Sequence, residues 1–399
     1  VTTAAPASST RAPSRGLWAA IAVVLLALNL RPAIVAVSPL LDEISDAVQL
    51  TAFSAGLLVT LPVLCFAALG PLAPVLARHV GLERALGLVL VLIIAGCALR
   101  LVPSPFGLFG GTVLVGTGIA FGNILLPGLI KRDFPHRVGL MSGLFSMSLA
   151  GGATLAAGIT VPVARAGGLD WNVALGAWGI FAVIALAAWL PMMRSAGRTA
   201  ASGGVAVALH RDRVAWYVTA FFGLQSFNFY ATTAWLPTIL IARGADTVFA
   251  GGMLALINVV SIVPALVVPM LLDRMRSQAG FAIGLGVLFF VAVGGFLAVP
   301  SAPVLWVTLL GIAQGASLGL GLTLLVLRAP DADHTTSLSR MAQSWGYLLA
   351  APAPLLLGLL NDVTGAWTAS LMLLLVMLVP QFVAGYLAGR PGLVQGRLH

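Results

Sequence analysis

Apolar residues run along this chain in blocks of 18 to 27 residues, separated by short polar stretches that hold nearly all of the charge. A block of that length crosses a hydrocarbon core roughly 30 Å thick when it coils into an α-helix. The pattern predicts twelve such helices, over 17–40, 53–76, 85–102, 106–130, 139–164, 171–193, 215–241, 248–272, 279–299, 303–327, 337–360 and 366–388. The first block follows Arg11 and Arg15 like a cleavable leader. It outruns the apolar stretch of about 7–15 residues that a leader carries, so it is read as a retained helix.

The charges between blocks set the orientation, because Lys and Arg in short loops resist translocation. With a cytoplasmic N-terminus, 17 basic residues fall on the cytoplasmic side and only Arg100, Arg165 and Arg243 on the other. Both termini are expected inside. The longest internal polar stretch, 194–213, divides the spans into two sets of six. The expected organisation is a disordered N-terminal segment 1–16, a six-helix bundle 17–193, a linker 194–213, a second bundle 214–389 and a tail 390–399. Pro74 to His79 after the second span echoes Pro269 to Arg274 after the eighth, as two copies of one unit would. Six plus six parallel repeats form the architecture in which two halves rock about a site near the midplane.

Composition narrows the class further. With 60% apolar and 8% charged residues, the chain has no room for a water-soluble domain. The net charge of +9 would suit nucleic acid, but its carriers sit at membrane flanks. Cys65 and Cys97 lie inside apolar blocks and read as small buried hydrophobes rather than a disulfide. No Cys or His cluster suggests a metal, and no nucleophile, base and orienter come together, so neither cofactor nor enzymatic activity is expected. The glycines of spans 4 and 5 suit close helix packing.

All 12 carboxylates and all five histidines fall at loops or span ends, which removes the usual proton-relay residues from the membrane interior. Arg31 is different, about three residues from the middle of the first span. A guanidinium there costs at least about 2.5–3.5 kcal/mol, so it requires a polar cavity and a partner. That partner is either an anionic solute or carbonyls freed by Pro32. In span 7, Gln225, Asn228 and Thr232 share one stripe, with Ser226 and Tyr230 beside it. In span 11, Arg340, Gln343 and Tyr347 share a face. Asn29, Asn123, Asn258 and Gln314 are single polar positions serving a cavity or helix packing. Trp235 and Trp345 either stack on a flat solute or pack, and Pro237 either bends a gate or ends a helix. The candidate solute ligands are therefore Arg31, Asn29, Asn123, Gln225, Asn228, Tyr230, Gln314, Gln343 and Tyr347.

Asp273-Arg274-Met275-Arg276 and Gly81-Leu82-Glu83-Arg84 resemble degenerate copies of the loop signature of the major facilitator superfamily. Asn29-Leu30-Arg31-Pro32, Ile130-Lys131-Arg132, Gly223-Leu224-Gln225-Ser226 and Trp235-Leu236-Pro237 resemble its cyanate permease and 2-nitroimidazole transporter family. The resemblance implies an all-α membrane carrier of twelve helices, moving a small anionic or polar solute by alternating access. Arg78, Arg84, Asp273 and Arg274 either latch the inner face between states or serve as a surface topology signal. A drug or metabolite exporter of the same fold is the alternative. The expected setting is the inner membrane of a cell, with a monomer embedded in lipid, a small-molecule solute as partner and no nucleic acid.

Overall fold

In a computed structural model of the chain, residues 13–50, 52–195, 207–395 and 397–398 are described. Of the expected disordered segment 1–16, residues 1–12 lie outside them, and Pro13 already begins a helix. The linker residues 196–206 also lie outside the described part.

The first expected span is two helices. α1 (Pro13–Leu28) ends, the chain turns through Asn29 and Leu30, and α2 (Pro32–Val35) starts afresh. Proline supplies no N–H and crowds the residue before it out of the helical region, so a break falls here for a local reason. Arg31 accordingly has φ −129° and ψ −39°, and Pro32 opens α2. α3 (Leu41–Val48) follows. The second span is also divided, into α4 (Ala52–Leu69) and α5 (Ala73–Val80), by a turn at Gly70–Leu72 that contains Pro71. α6 (Leu82–Arg100), α7 (Pro105–Asp133), α8 (Val138–Gly167) and α9 (Trp171–Ser195) complete the first half as continuous helices. Gly168, with φ +58°, stops α8 in a left-handed turn that suits a residue without a side chain.

The second half comprises α10 (Arg213–Ala242), α11 (Thr247–Leu272), α12 (Ala279–Ala298) and α13 (Pro303–Leu327). α14 (Ala332–Ala350) and α15 (Ala353–Thr364) together make the eleventh span, broken at Pro352, and α16 (Trp367–Gly389) closes the set. Eleven helical segments among the described residues are long and apolar enough to cross a membrane. The twelfth, α10, is 30 residues long but holds Gln225, Ser226, Asn228, Tyr230, Thr232 and Thr233, which lower its hydropathy. Pro237 lies inside α10, which continues to Ala242, so it does not end the helix. Large apolar side chains face outward around the bundle, among them Phe106, Val263, Leu355 and Val363, as suits a lipid-facing surface.

The halves meet on two sides: α8 lies on α11 and α13, and α14 lies on α4 and α7. Glycines explain how closely α8 and α11 can approach. Gly139 abuts Pro269 and Asp273, and Gly143 abuts the carbonyl of Leu266, so neither has room for a side chain. In α7, Gly116 and Gly118 lie against α4 and α6, the packing role expected of them. Gly151 and Gly158 of α8 face open space instead. Cys65 and Cys97 are buried free thiols.

At the basic end the linker and the tail are tied together. Strand β1 (Val207–Ala208), from the end of the linker, pairs antiparallel with β2 (Arg397–Leu398) of the tail. The N–H of Val394 donates to the carbonyl of Arg328 at 2.8 Å, so the tail lies against the second bundle.

Candidate functional site

The break at Arg31 delivers its guanidinium to a small cavity between the halves, of about 40 Å³. The first half contributes Arg31 and the small face Leu149, Ala150 and Ala153 of α8. The second half contributes Gln225, Ser226, Phe229 and Tyr230 of α10, Asn258 and Ser261 of α11, and Gln314, Gly315 and Leu318 of α13. α8 approaches the break because Gly152 has no side chain: a Cβ there would stand 2.6 Å from the carbonyl of Leu28 and 3.2 Å from Pro32.

The Arg31 guanidinium carbon lies 5.7 Å from the centre of the Phe229 ring, and the charge also acts on the Tyr230 phenol. Among the described residues no carboxylate pairs with it, since the ion pairs join Arg132 to Glu83 and Asp133, and His334 to Asp331. A ring face stabilises a cation by about 0.5–2 kcal/mol, less than a full counter-charge. Opposite, Gln314 is 5% exposed, and neither its amide nitrogen nor its oxygen finds a partner. Leaving such a group unmet costs about 1–3 kcal/mol. Gln225 donates to Ser226 at 2.8 Å, and Asn258 donates to the carbonyl of Leu254 at 3.0 Å. The lining holds no Asp, Glu or His. It can therefore hold a solute by charge, ring face and hydrogen bonds, but has no general acid and base pair.

Four expected ligands thus line the cavity: Arg31, Gln225, Tyr230 and Gln314. Five do not. Asn29 donates to the carbonyls of Leu25 at 2.8 Å and Phe181 at 3.3 Å, tying the end of α1 to α9. Asn228 donates to Gln381 of α16 at 2.7 Å, away from the cavity and on the side where Thr232 also lies. Gln343 donates to the backbone carbonyl of Asn123 at 2.8 Å, a bond across the two halves, while the side-chain oxygen of Asn123 has no partner. Tyr347 forms a second layer, its ring 6.4 Å from Tyr230, 5.0 Å from Phe66 and 5.6 Å from Phe222. Trp345 packs 6.2 Å from Trp216 on the outer surface, and Trp235 packs 5.0 Å from Trp367.

Phe229 and Ser261 were not singled out from the sequence. The inward face of α10 carries 225, 226, 229 and 230, the pairs four apart that a helix stacks, so Phe229 follows from the Gln225 and Tyr230 positions once Asn228 is turned away. Ser261 sits one turn beyond Asn258, whose carbonyl it bonds at 2.7 Å. Arg100, expected as an outer-loop charge, is fully buried and donates to the carbonyl of Ala33 and to Thr112.

The basic end is closed by contacts between the halves. Lys131 donates to the carbonyl of Val326 at 3.2 Å and lies within the field of Asp273, which itself abuts Gly139 at the start of α8. Arg78 faces the like charge of Arg340. Arg84 and Arg274 are exposed.

Comparisons with known proteins identify the family. The Major Facilitator Superfamily is matched over residues 17–354. The chain is similar to the 2-nitroimidazole transporter of Escherichia coli (strain K12), 41% identical over 92% of this chain and 94% of that protein. It is also similar to the cyanate transport protein CynX of the same organism, 31% identical over 86% of this chain and 90% of that one. Among solved structures, the proton:xylose symporter XylE bound to 6-bromo-6-deoxy-D-glucose superposes with a TM-score of 0.77, covering 93% of this chain and 95% of that one at 15% identity, which speaks for the fold alone. These relatives are transporters rather than enzymes. The chain is a multi-pass membrane protein of the major facilitator superfamily.

Proposed function

We propose that the protein carries a small anionic or strongly polar, flat solute across the cytoplasmic membrane by alternating access, with Arg31 as its central ligand. The observation that carries this reading is a guanidinium with no carboxylate partner among the described residues, set at a helix break and facing a cavity across from the unpaired amide of Gln314. A solute with a negative end satisfies Arg31 and presents its polar edge to Gln314, Gln225 and Asn258, bridging the halves. It then favours a closed state in proportion to its differential affinity. The names of the two relatives, one a 2-nitroimidazole transporter and one a cyanate transport protein, supply the first solutes to try. The basic end is assigned to the cytoplasm by the positive-inside bias, with both termini there. Closure at that end is assigned to Asp273 against α8, Lys131 and Gln343, with Arg78, Arg84 and Arg274 as the surrounding charge.

The test is counterflow in proteoliposomes with cyanate, nitrate and 2-nitroimidazole. Saturable counterflow by the wild type, lost in a folded Arg31→Ala variant, is the expected result. Saturable counterflow of the same magnitude in Arg31→Ala would overturn the assignment.

A further inference from the structure

The charge of the cavity determines more than which solute enters it. Among the described residues Arg31 is its sole charged side chain, because the remaining lining residues are aliphatic, aromatic, hydroxyl or amide. The groups that meet it, the hydrogen-bonded Tyr230 phenol and the Phe229 ring face, are neutral. Among the described side chains, other charges stand apart: Glu43 and Asp46 are exposed on α3, Asp273 and Lys131 lie at the basic end, and Arg100 is spent on Ala33 and Thr112. The empty site therefore carries one positive charge, and a site holding a monovalent anion carries none.

Alternating access obliges the site to pass through a state closed at both ends, where water no longer solvates it. A loaded carrier passes through that state neutral. An empty carrier passes through it with the guanidinium charge uncompensated, met only by the neutral Phe229 ring and Tyr230 phenol, against the penalty for a charge in the membrane interior. That penalty, on insertion scales, corresponds to a slowing on the order of a hundredfold.

We infer that this protein is an electroneutral anion exchanger, in which the uncompensated Arg31 lets the carrier re-orient readily only when an anion occupies it. The inference rests on the anion reading of the same cavity. One anion enters as another leaves, so no net charge crosses in exchange, whereas net uptake of a monovalent anion moves one charge per cycle. The stepwise balance needs no proton and no coupling cation.

The experiment uses the wild-type full chain in proteoliposomes with labelled cyanate outside. One set of vesicles is loaded with unlabelled cyanate and the other with impermeant buffer, each with the potential fixed by potassium and valinomycin at zero or positive inside. Uptake into cyanate-loaded vesicles is expected to exceed uptake into empty ones by about tenfold or more and to ignore the imposed potential. The slow net uptake is expected to rise when the interior is positive. Saturable uptake at equal rates in both sets, or exchange that shifts with potential, overturns the exchange mechanism and leaves the anion site standing. No saturable uptake in either set, from protein that is monodisperse and cooperatively melting, overturns both.

Discussion

Arg100, at the end of α6, donates its guanidinium to the backbone carbonyl of Ala33, two residues beyond Arg31. That carbonyl is free because the N–H of Val37 turns to Ile34 at 3.2 Å instead of completing the helical bond to Ala33. The broken first span is thus braced from α6, and Arg100 in turn is held by Thr112 at 2.9 Å. Replacing it with methionine keeps the length and removes the donors, leaving a buried carbonyl unmet at a cost of about 1–3 kcal/mol. Arg100→Met is expected to lower the melting temperature and weaken cyanate binding together, with Arg100→Lys recovering part of both. Thermal melts and equilibrium binding on the same preparations check this, and unchanged binding in a destabilised Arg100→Met would confine the residue to stability.

The two faces of α10 separate binding from packing. Gln225 lines the cavity, whereas Asn228 bonds Gln381. Gln225→Leu should weaken solute affinity with little loss of stability. Asn228→Leu should leave affinity intact and destabilise by roughly 1–3 kcal/mol, because Gln381 loses its buried partner. Paired titrations and melts distinguish the two, and the reverse pattern would mean that α10 presents its other face in the solute-bound state.

Gln343 joins α14 to α7 across the halves by its bond to the Asn123 carbonyl. A net hydrogen bond of about 0.5–1.5 kcal/mol is worth roughly 2–12-fold in a population ratio. Gln343→Leu should therefore enlarge the fraction open at the basic end. Spin labels at the exposed positions Arg84 and Arg274 would report it as a longer-distance population. An unchanged distance distribution would contradict a closing role.

Asp331 caps α14, accepting from the N–H of His334 at 2.9 Å. Burial by itself raises its pKa, but the backbone and side-chain hydrogen bonds and the charge of His334 outweigh this and hold it below the ordinary carboxylate value. A carboxyl whose folded pKa lies below its unfolded one stabilises the fold above the unfolded value, near 4, and loses that contribution as pH falls through the folded one. Asp331→Ala is expected to cost about 0.5–2 kcal/mol at neutral pH, as loss of a cap does. The gap between wild type and variant should narrow below about pH 4, and melts across pH 3–7 measure it.

Much of this organisation was written in the hydrophobic pattern, because each crossing needs its own run of apolar residues and each turn its own charges. The pattern was silent where a single residue redirected the chain. Pro32, Pro71 and Pro352 break runs whose apolar residues resume on the far side, so the pattern continues across a real interruption. The cavity was partly legible: a mid-membrane arginine and the uncharged polar residues of spans 7, 8 and 10 stand out by cost alone. The rotation of each helix was not. Asn29 and Asn228 look like Gln225 and Gln314 in sequence, and only the neighbours, Phe181 and Gln381, decide that they serve packing. Arg100 was hidden for a related reason. A basic residue at a span end reads as a loop charge until the fold brings a freed carbonyl to it.

The central claim is that Arg31 is the solute's principal ligand, and equilibrium binding tests it most directly, independent of rate or coupling. Purified wild type is titrated calorimetrically with cyanate beside Arg31→Ala and Arg31→Lys, each shown to be folded by its melt. A hydrogen bond to a charged group is worth about 1.5–3 kcal/mol, so Arg31→Ala should weaken binding by roughly 10–150-fold, with Arg31→Lys in between. Wild-type affinity in Arg31→Ala would make the arginine structural and contradict the account.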